Sequence, residues 1–525
     1  MNPVEQTEAP PQEKAAAPSR ATWRIVLALA LPVLAQQFLV LTVSLSDRLL
    51  AGRFQALSPG EQAEAAGHGV IALGQLANCP PGGGMPVNVL AAVAPWELAR
   101  HTLARQVSYQ AAQTTANYLA WFLSSYIVLV SVGSTALVAR FTGAGDQAAR
   151  VHATNQSILL AVVLGLAGSA GGLVSLEGLI SLLQLHGDAH AYATEYLRPL
   201  LLLLTFQVVE SAGIACLVGA GDTRTGLFVM MGVAVVNLPL AWGLCLGWGP
   251  LPALGFSGIA LGTALSHTLG GVVVLTVLAR GRFGLTLHLP LLWPNVDLLR
   301  RLLRISVPAA IDSLSIVVGQ FWFLSIVNRL GDVASGAHGI ALGWEALAFL
   351  SGAAFGTAAM TLVGQNLGAG RPAQAARSGW TAFGMGCGVM CFMGLVFFVL
   401  ANPMFALFCP HPSQQPIVEE GVPVLRLVAF ATPPMASAII FTWALRGAGD
   451  TRVPVLFTWI GFLGVRIPLA YFLALRQVDL GPLGIWQGAG LGLFGAWLAM
   501  FADLLVRGCF FLWRFRSGAW QRMKV

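Results

Sequence analysis

Seven charged side chains stand inside apolar runs long enough to cross a bilayer: Asp47, Glu210, Asp312, Glu345, Arg426, Arg466 and Asp503. A charge at the centre of a membrane costs roughly 2.5 to 3.5 kcal/mol on insertion scales, so each is a candidate for binding or moving an ion. Carboxylates in such a place hold cations or take up and release protons. A buried Arg needs a carboxylate partner, and for Arg466 the available ones are Glu345, Asp312 and Asp503. His338 precedes Glu345 by seven residues and Gln320 follows Asp312 by eight, so each pair projects from roughly one helical face. His338 reads as a packed, hydrogen-bonded residue, and Glu210 reads equally as a coupling acid or as a satisfied packing residue. Trp242, Trp322, Phe323, Trp344 and Trp443 offer cation-π surfaces, although aromatics in apolar helices usually face lipid or core.

The elements that must position these residues are helices in a membrane. Of 525 residues, 56% are hydrophobic and 10% charged, where a soluble domain carries about 25% charged. Twelve apolar segments are long enough to span, near 24–50, 113–139, 153–181, 197–218, 226–249, 254–279, 302–330, 336–364, 377–401, 421–445, 453–475 and 485–513. Six precede a basic linker and six follow it, which returns both ends to one side. Sorted by that alternation, 20 of the 29 Lys and Arg fall on the side of the tails and linker. The positive-inside rule then places both termini in the cytoplasm, as a multi-pass protein of the cytoplasmic (inner) membrane, and accounts for the net charge of +7 without nucleic acid.

The expected division is a disordered tail at 1–20, a six-helix lobe at 21–280, a linker at 281–300, a second six-helix lobe at 301–515 and a tail at 516–525. The run from Trp23 to Leu50 is too long for a signal-peptide core and reads as a retained first span. Cys387 and Cys391 lack His or carboxylate at ligand spacing, so no metal is expected. Gly219-x-Gly221 lacks the Gly-Lys-Ser/Thr ending of a phosphate loop, and no nucleophile, base or metal set converges, so neither an ATP-driven pump nor an enzyme is expected.

The chain is also written twice. Gly219-Ala220-Gly221-Asp222-Thr223-Arg224 returns as Gly447-Ala448-Gly449-Asp450-Thr451-Arg452, an offset of 228, and the ends of the second and eighth spans, at Gly143-Ala144-Gly145 and Gly368-Ala369-Gly370, repeat at 225. Near-constant spacing over an even number of spans predicts an all-α membrane protein of two pseudo-symmetric six-helix lobes around a central cavity. The hexapeptides fall in cytoplasmic turns, where Gly caps one helix and Asp the next, with a share in closing the cytoplasmic gate. The acids do not follow the repeat: Glu210 corresponds to Ala438, Glu345 to Ala120 and Asp312 to Gln36. Residues 54–106 have no partner in the second half and read as an extracytoplasmic insertion.

With Asp47-Arg48-Leu49-Leu50-Ala51-Gly52-Arg53, both Gly-Ala-Gly-Asp-Thr-Arg turns, Ala337-His338-Gly339-Ile340-Ala341-Leu342 and Leu362-Val363-Gly364-Gln365-Asn366-Leu367-Gly368-Ala369-Gly370, the chain resembles the MATE (multidrug and toxic compound extrusion) family. The resemblance implies a V-shaped pair of bundles that acts as a monomer, needs no cofactor, and exchanges entry of H+ or Na+ for efflux of cationic or amphipathic organic compounds. It implies that Asp47 is the coupling acid of the first lobe with Asn237 as its polar neighbour, and that Asp312 and Glu345 serve cation or substrate binding in the second. Glu345 is expected to exchange between Arg466, a coupling cation and a cationic drug. Ala241 stands where a branch of the family has an Asp four residues after that Asn, which weakens a site built wholly in the first lobe. The alternative within the superfamily is a flippase or exporter of lipid-linked saccharides or of a specific metabolite, which predicts a cationic cavity.

Overall fold

A computed structural model describes residues 20–53, 122, 125–182, 188–479 and 484–523. In order come α1 (Arg20–Arg53), α2 (Ser125–Ala144), α3 (Gln147–Leu182), α4 in two pieces (Asp188–Leu202 and Leu204–Ala220), α5 (Thr223–Leu246) and α6 (Phe256–Ala279). After two short 3-10 turns follow α7 (Val296–Asn328), α8 (Asp332–Gly368), α9 (Pro372–Ala406), α10 (Gln415–Ala448), α11 (Arg452–Ala474) and α12 (Gly492–Arg516). Eleven of these are long and apolar enough to cross a membrane singly, and the two pieces of α4 make a twelfth span. Helices are what lipid permits, because each satisfies its backbone hydrogen bonds within one segment. A hairpin of β1 (Gln477–Asp479) and β2 (Ile485–Gln487) joins α11 to α12. The expected insertion at 54–106 and the tail at 1–19 lie outside the described residues.

Each half has its own apolar core. Leu137, Leu217, Ile259 and Val274 belong to one, and Phe323, Phe355, Phe441 and Trp497 to the other. The first helix belongs to both, since Val26, Leu29 and Ala30 are buried with the second half while Leu50 is buried with the first. A third, small cluster joins the halves through Val132 and Ala136 of α2, Ile305 and Ala309 of α7, and Met360 of α8.

Several of the straight spans that the hydropathy pattern predicts are interrupted, the fourth and eleventh most clearly. The fourth is bent by 52°, where Leu203, four residues after Pro199, leaves helical geometry at φ −102 and ψ 8. The eleventh passes through a π-helical stretch, Ile460–Arg466. Apolar composition cannot signal this wider turn, which is a local insertion of the kind often found at functional sites.

The two repeated turns do different work. Gly221 and Gly449 close α4 and α10 in the left-handed conformation, φ 97 and 86, which glycine adopts without Cβ strain. Asp222 then caps α5 by accepting from the Thr225 N–H at 3.0 Å, and also accepts from Arg282 Nε at 3.2 Å. Asp450 makes no such cap. It accepts from Arg514 of α12 at 2.9 and 2.8 Å.

Beside these turns the halves touch through backbone. A Cβ on Gly143 would overlap the Gln365 carbonyl, and one on Gly368 would overlap the Arg140 carbonyl. Gln365 Nε2 donates to the Gly219 carbonyl at 2.9 Å, and the Gly133 N–H donates to Ser306 Oγ at 2.9 Å. Small residues allow this approach, as they do between membrane helices generally. Gly368→Val is therefore expected to part the halves at this end. In a Cys509→Ser background, maleimide labelling of Ala139→Cys, a site that is fully buried, should become roughly tenfold faster, the shift produced by about 1.4 kcal/mol of interface strain. Unchanged labelling would show that this contact does not hold the halves closed.

Candidate functional site

In the first half, three helices converge on one hydroxyl. Thr263 of α6 donates to Asp47 Oδ2 of α1 at 3.2 Å and accepts from Asn237 Nδ2 of α5 at 3.0 Å. Its proton is shared with the Ile259 carbonyl, also 3.2 Å away. Asp47 is 6% exposed, Asn237 is fully buried, and the remaining oxygen of each, Asp47 Oδ1 and Asn237 Oδ1, is buried without a hydrogen-bond partner. Such oxygens are costly unless something fills their bonding capacity in part of the working cycle. Ala241, 1% exposed, adds no second carboxylate. Next to the cluster Trp242 Nε1 donates to Ser46 Oγ at 3.1 Å, so this indole is anchored to α1.

One turn along α6 from Thr263, His267 Nδ1 lies 2.7 Å from Glu210 Oε2 of α4. Glu210 is 2% exposed, its Oε1 has no partner, and its carboxylate rests against Gly270, where any Cβ would collide with it. Glu210 thus belongs to an acid–imidazole pair. The sequence reading passes over His267 and Thr263, although their spacing of four residues from one another was a legible sign of a polar stripe on an otherwise apolar helix.

In the second half, most of the charges neutralise one another. Asp503 accepts from Arg466 Nε at 2.8 Å and Nη2 at 2.6 Å, and from Arg507 Nε at 2.6 Å and Nη2 at 2.8 Å. Arg466 also donates to Gln320 Oε1 at 3.4 Å. The π-helical stretch serves this contact: it carries Arg466, and its Gly461 lets Asp503 and Arg507 pack on bare backbone. Of the three acids the sequence offers Arg466, its ion-pair partner in this structure is Asp503, thirty-seven residues on. Asp312 is likewise taken, by Arg446 Nη2 at 2.7 Å. Arg446, which closes the apolar run before the second hexapeptide and is not among the sequence candidates, is 5% exposed.

Glu345 is different. It is 9% exposed and, among the described residues, makes no hydrogen bond or ion pair, while Arg466 and Arg507 lie within electrostatic reach. His338, on the same helix, packs between Phe323 and Trp497 with ring centroids at 5.8 and 5.5 Å, and its Nδ1 has no partner. The aromatic candidates divide. Phe323 already faces Arg466, 5.7 Å away, and Trp443 faces Arg446 at 5.6 Å. Trp322 is exposed at the periphery and donates to Tyr471 Oη at 3.2 Å, and Trp344 packs edge-on against Phe408. Arg426 is exposed beside Phe398 at 5.8 Å, outside both clusters.

Among the described residues, the arrangement offers two buried membrane acids that no Arg, Lys or His holds by contact, Asp47 and Glu345, one in each half. Neither cluster has the donor set of a resident metal site, and no group of three or more His, Cys, Asp or Glu suited to a metal occurs among the described residues.

The MatE family model matches residues 108–242 and 308–472, more than half of the chain and both halves of the duplication. A probable multidrug resistance protein NorM of Thermotoga maritima is 28% identical over 78% of this chain and 85% of its own length. The multidrug resistance protein PmpM of Pseudomonas aeruginosa is 26% identical over 70% of this chain and 77% of its own. Among solved structures, an outward-facing multidrug resistance MATE transporter superposes with a TM-score of 0.77 at 17% identity, covering 96% of this chain and 97% of that one. A MATE transporter in complex with MaL6 gives 0.77 at 18%, covering 96% and 98%. With twelve spans in two six-helix halves and family matches in each half, the chain belongs to the MatE family of multi-pass membrane transporters and is not an enzyme.

Proposed function

We propose that this chain exports organic cations in exchange for protons, by alternating access across the cytoplasmic membrane, with both termini and the two Gly-Ala-Gly-Asp-Thr-Arg turns on the cytoplasmic side. The observation that carries this reading is the state of the buried acids. Asp503 and Asp312 are neutralised by arginines and Glu210 is paired with His267, whereas Asp47, among the described residues, is bonded only to a neutral hydroxyl. An acid with that contact can gain or lose a proton without orphaning a buried cation. The names of the relatives, multidrug resistance proteins, support an organic substrate.

The choice of proton over sodium follows from the donor set. Hard cations seek several oxygens, with carboxylates to balance charge. Around Asp47 there are one carboxylate, one amide oxygen and one hydroxyl, and Ala241 where a second acid would stand. A proton needs only the carboxylate.

Glu345 is the complementary group of the second half. Arg466 and Arg507 against Asp503 leave one positive charge, which an ionised Glu345 balances. The cluster then takes up one further cation, either as a proton on Glu345 or as a lipophilic cation beside it, and the two compete. The lipid-linked saccharide reading is disfavoured because Arg446, Arg466 and Arg507 are each bonded to an acid and the one positive charge left over is balanced by an ionised Glu345. The contacts of α2 with α8 close the proposed cytoplasmic end, so the structure corresponds in this scheme to the state open to the outside. Energetically, one proton moving down about 100 mV and one pH unit releases roughly 2.3 plus 1.4 kcal/mol, enough for a few-hundredfold gradient of a substrate moving no net charge.

In proteoliposomes, ethidium efflux is expected to follow an imposed proton gradient and to ignore a sodium gradient at constant pH; efflux driven by sodium alone would overturn proton coupling. Asp47→Asn should lower proton-driven efflux at least about tenfold, as expected when an essential buried carboxylate is neutralised, while retaining ethidium binding; wild-type efflux would sink the role given to Asp47. Glu345→Gln should lose ethidium binding itself, and unchanged binding would remove it from the substrate site. Asp503→Asn should instead lose folded protein, since stripping the partner from buried charges costs about 3–5 kcal/mol. Thermal unfolding of the three variants separates these roles.

A further inference from the structure

Where α7 and α11 begin, they form an open groove of about 530 Å³ lined by Val296, Leu299, Arg300, Leu303, Arg304 and Arg452. The α7 residues recur at intervals of three and four, which makes them one stripe along the helix. Three arginines line the groove and no acid does. Arg300, Arg304 and Arg452 are exposed and have no hydrogen-bond or ion-pair partner among the described residues, whereas Arg301, off the stripe, lies 4.0 Å from Asp297. Three like charges held together without counter-ions favour an anion.

Depth decides which anion. From Ile305 to the end of α7 at Asn328 the helix covers roughly 36 Å, enough for a hydrocarbon core of about 30 Å. Arg300 and Arg304 therefore stand where hydrocarbon gives way to headgroups, and Arg452, which opens α11, stands at the same level. The stripe continues inward as the exposed apolar residues Val307 and Ile311, and Leu456, one turn after Arg452 on α11, is exposed as well. Trp459 Nε1 donates to Ser315 Oγ at 2.9 Å and ties the two helices together below the groove. Just ahead of α7, Leu289 and Trp293 are exposed, as suits side chains at a membrane interface.

We propose that this groove binds an anionic phospholipid, with Arg300, Arg304 and Arg452 around the phosphate and an acyl chain lying along Val307, Ile311 and Leu456. Basic pockets between spanning helices are suited to such headgroups. The duplication supplies an internal control. Aligning Pro32 with Pro308 and the two hexapeptides puts Arg24, Ala28 and Arg224 at the positions of Arg300, Arg304 and Arg452. The first half lacks one of the three cations, so its counterpart binds more weakly.

The test is lipid binding to the purified full chain in detergent, by native mass spectrometry, with phosphatidylglycerol, phosphatidylcholine and inorganic phosphate as separate probes. Phosphatidylglycerol is expected to bind at least about tenfold more tightly than phosphatidylcholine, and the combined Arg300→Gln, Arg304→Gln and Arg452→Gln variant to lose on the order of a hundredfold, given about one kcal/mol per basic residue. Arg24→Gln with Arg224→Gln should change it by less. Ala28→Arg, which removes nothing, should create a second site of similar affinity and guards against a combined variant that does not fold. Equal affinity for both lipids, inorganic phosphate displacing phosphatidylglycerol at equal concentration, or no second site in Ala28→Arg would each overturn the proposal.

Discussion

A charge placed in hydrocarbon-like surroundings must be neutralised by contact or by a change of protonation, and this constraint orders the whole second half of the molecule. Arg446, Arg466 and Arg507 are buried, and each has its carboxylate within hydrogen-bond distance. The pairing reaches far along the chain, from Asp312 to Arg446 and from Arg466 to Asp503, so the ion pairs tie α7 to α10 and α11 to α12. A pair of this kind contributes little net stability over apolar packing, but breaking it is costly, which makes it a device for fixing which helix faces meet. Packing then bends to accommodate it: α11 widens into π-helical turns at the contact, and Gly461 gives up its side chain to the Asp503–Arg507 pair.

That constraint also explains which part of the candidate site was legible in sequence. The presence of Asp47, Glu345 and Arg466 in apolar runs is a matter of composition, and composition identifies them without structure. Their partners are a matter of helix rotation, which depends on contacts between segments remote in sequence. Arg466 has three acids within plausible reach by order along the chain, and only the facing of α11 toward α12 selects Asp503. Arg446 sits at the end of its apolar run, beside a turn motif, and nothing in composition marks it as buried. Asp312 loses its apparent freedom as a consequence. His267 and Thr263 lie on α6, where a polar stripe of two residues is easily lost among apolar neighbours; the structure aligns them with Glu210 and with Asp47.

Architecture was more accessible than chemistry because it is written redundantly. Span length, the alternation of basic loops and the repeated hexapeptide each carry the same twelve-helix answer, and none depends on a particular side-chain contact. The bend at Leu203 and the π-helical stretch escape this logic, since hydropathy averages over the very residues that depart from regular geometry. The duplicated turns show a further limit. Two identical sequences, Asp222 in one and Asp450 in the other, meet different neighbours, Arg282 from the linker and Arg514 from α12, and only the first caps its helix.

The unequal halves acquire a mechanical meaning through α1. This helix carries Asp47 into the cluster with Thr263 and Asn237, yet its opening turns, at Val26, Leu29 and Ala30, are buried in the core of the opposite half. It is therefore held at one end by the half that contains the Asp47 cluster and at the other by the half that contains the arginine network. A change of charge on Asp47 alters its bond to Thr263 and the fate of the two unpaired oxygens beside it, and so acts on a helix that both cores grip. The glycine contacts between α2 and α8 lie at the same end as the opening turns of α1, close to the Gln365–Gly219 bond. Small residues make that contact tight, and the Gln365 and Ser306 side chains each add one hydrogen bond between the halves. In the proposed scheme a displacement of α1 is the route by which one proton in the first half reaches a contact that the two halves share.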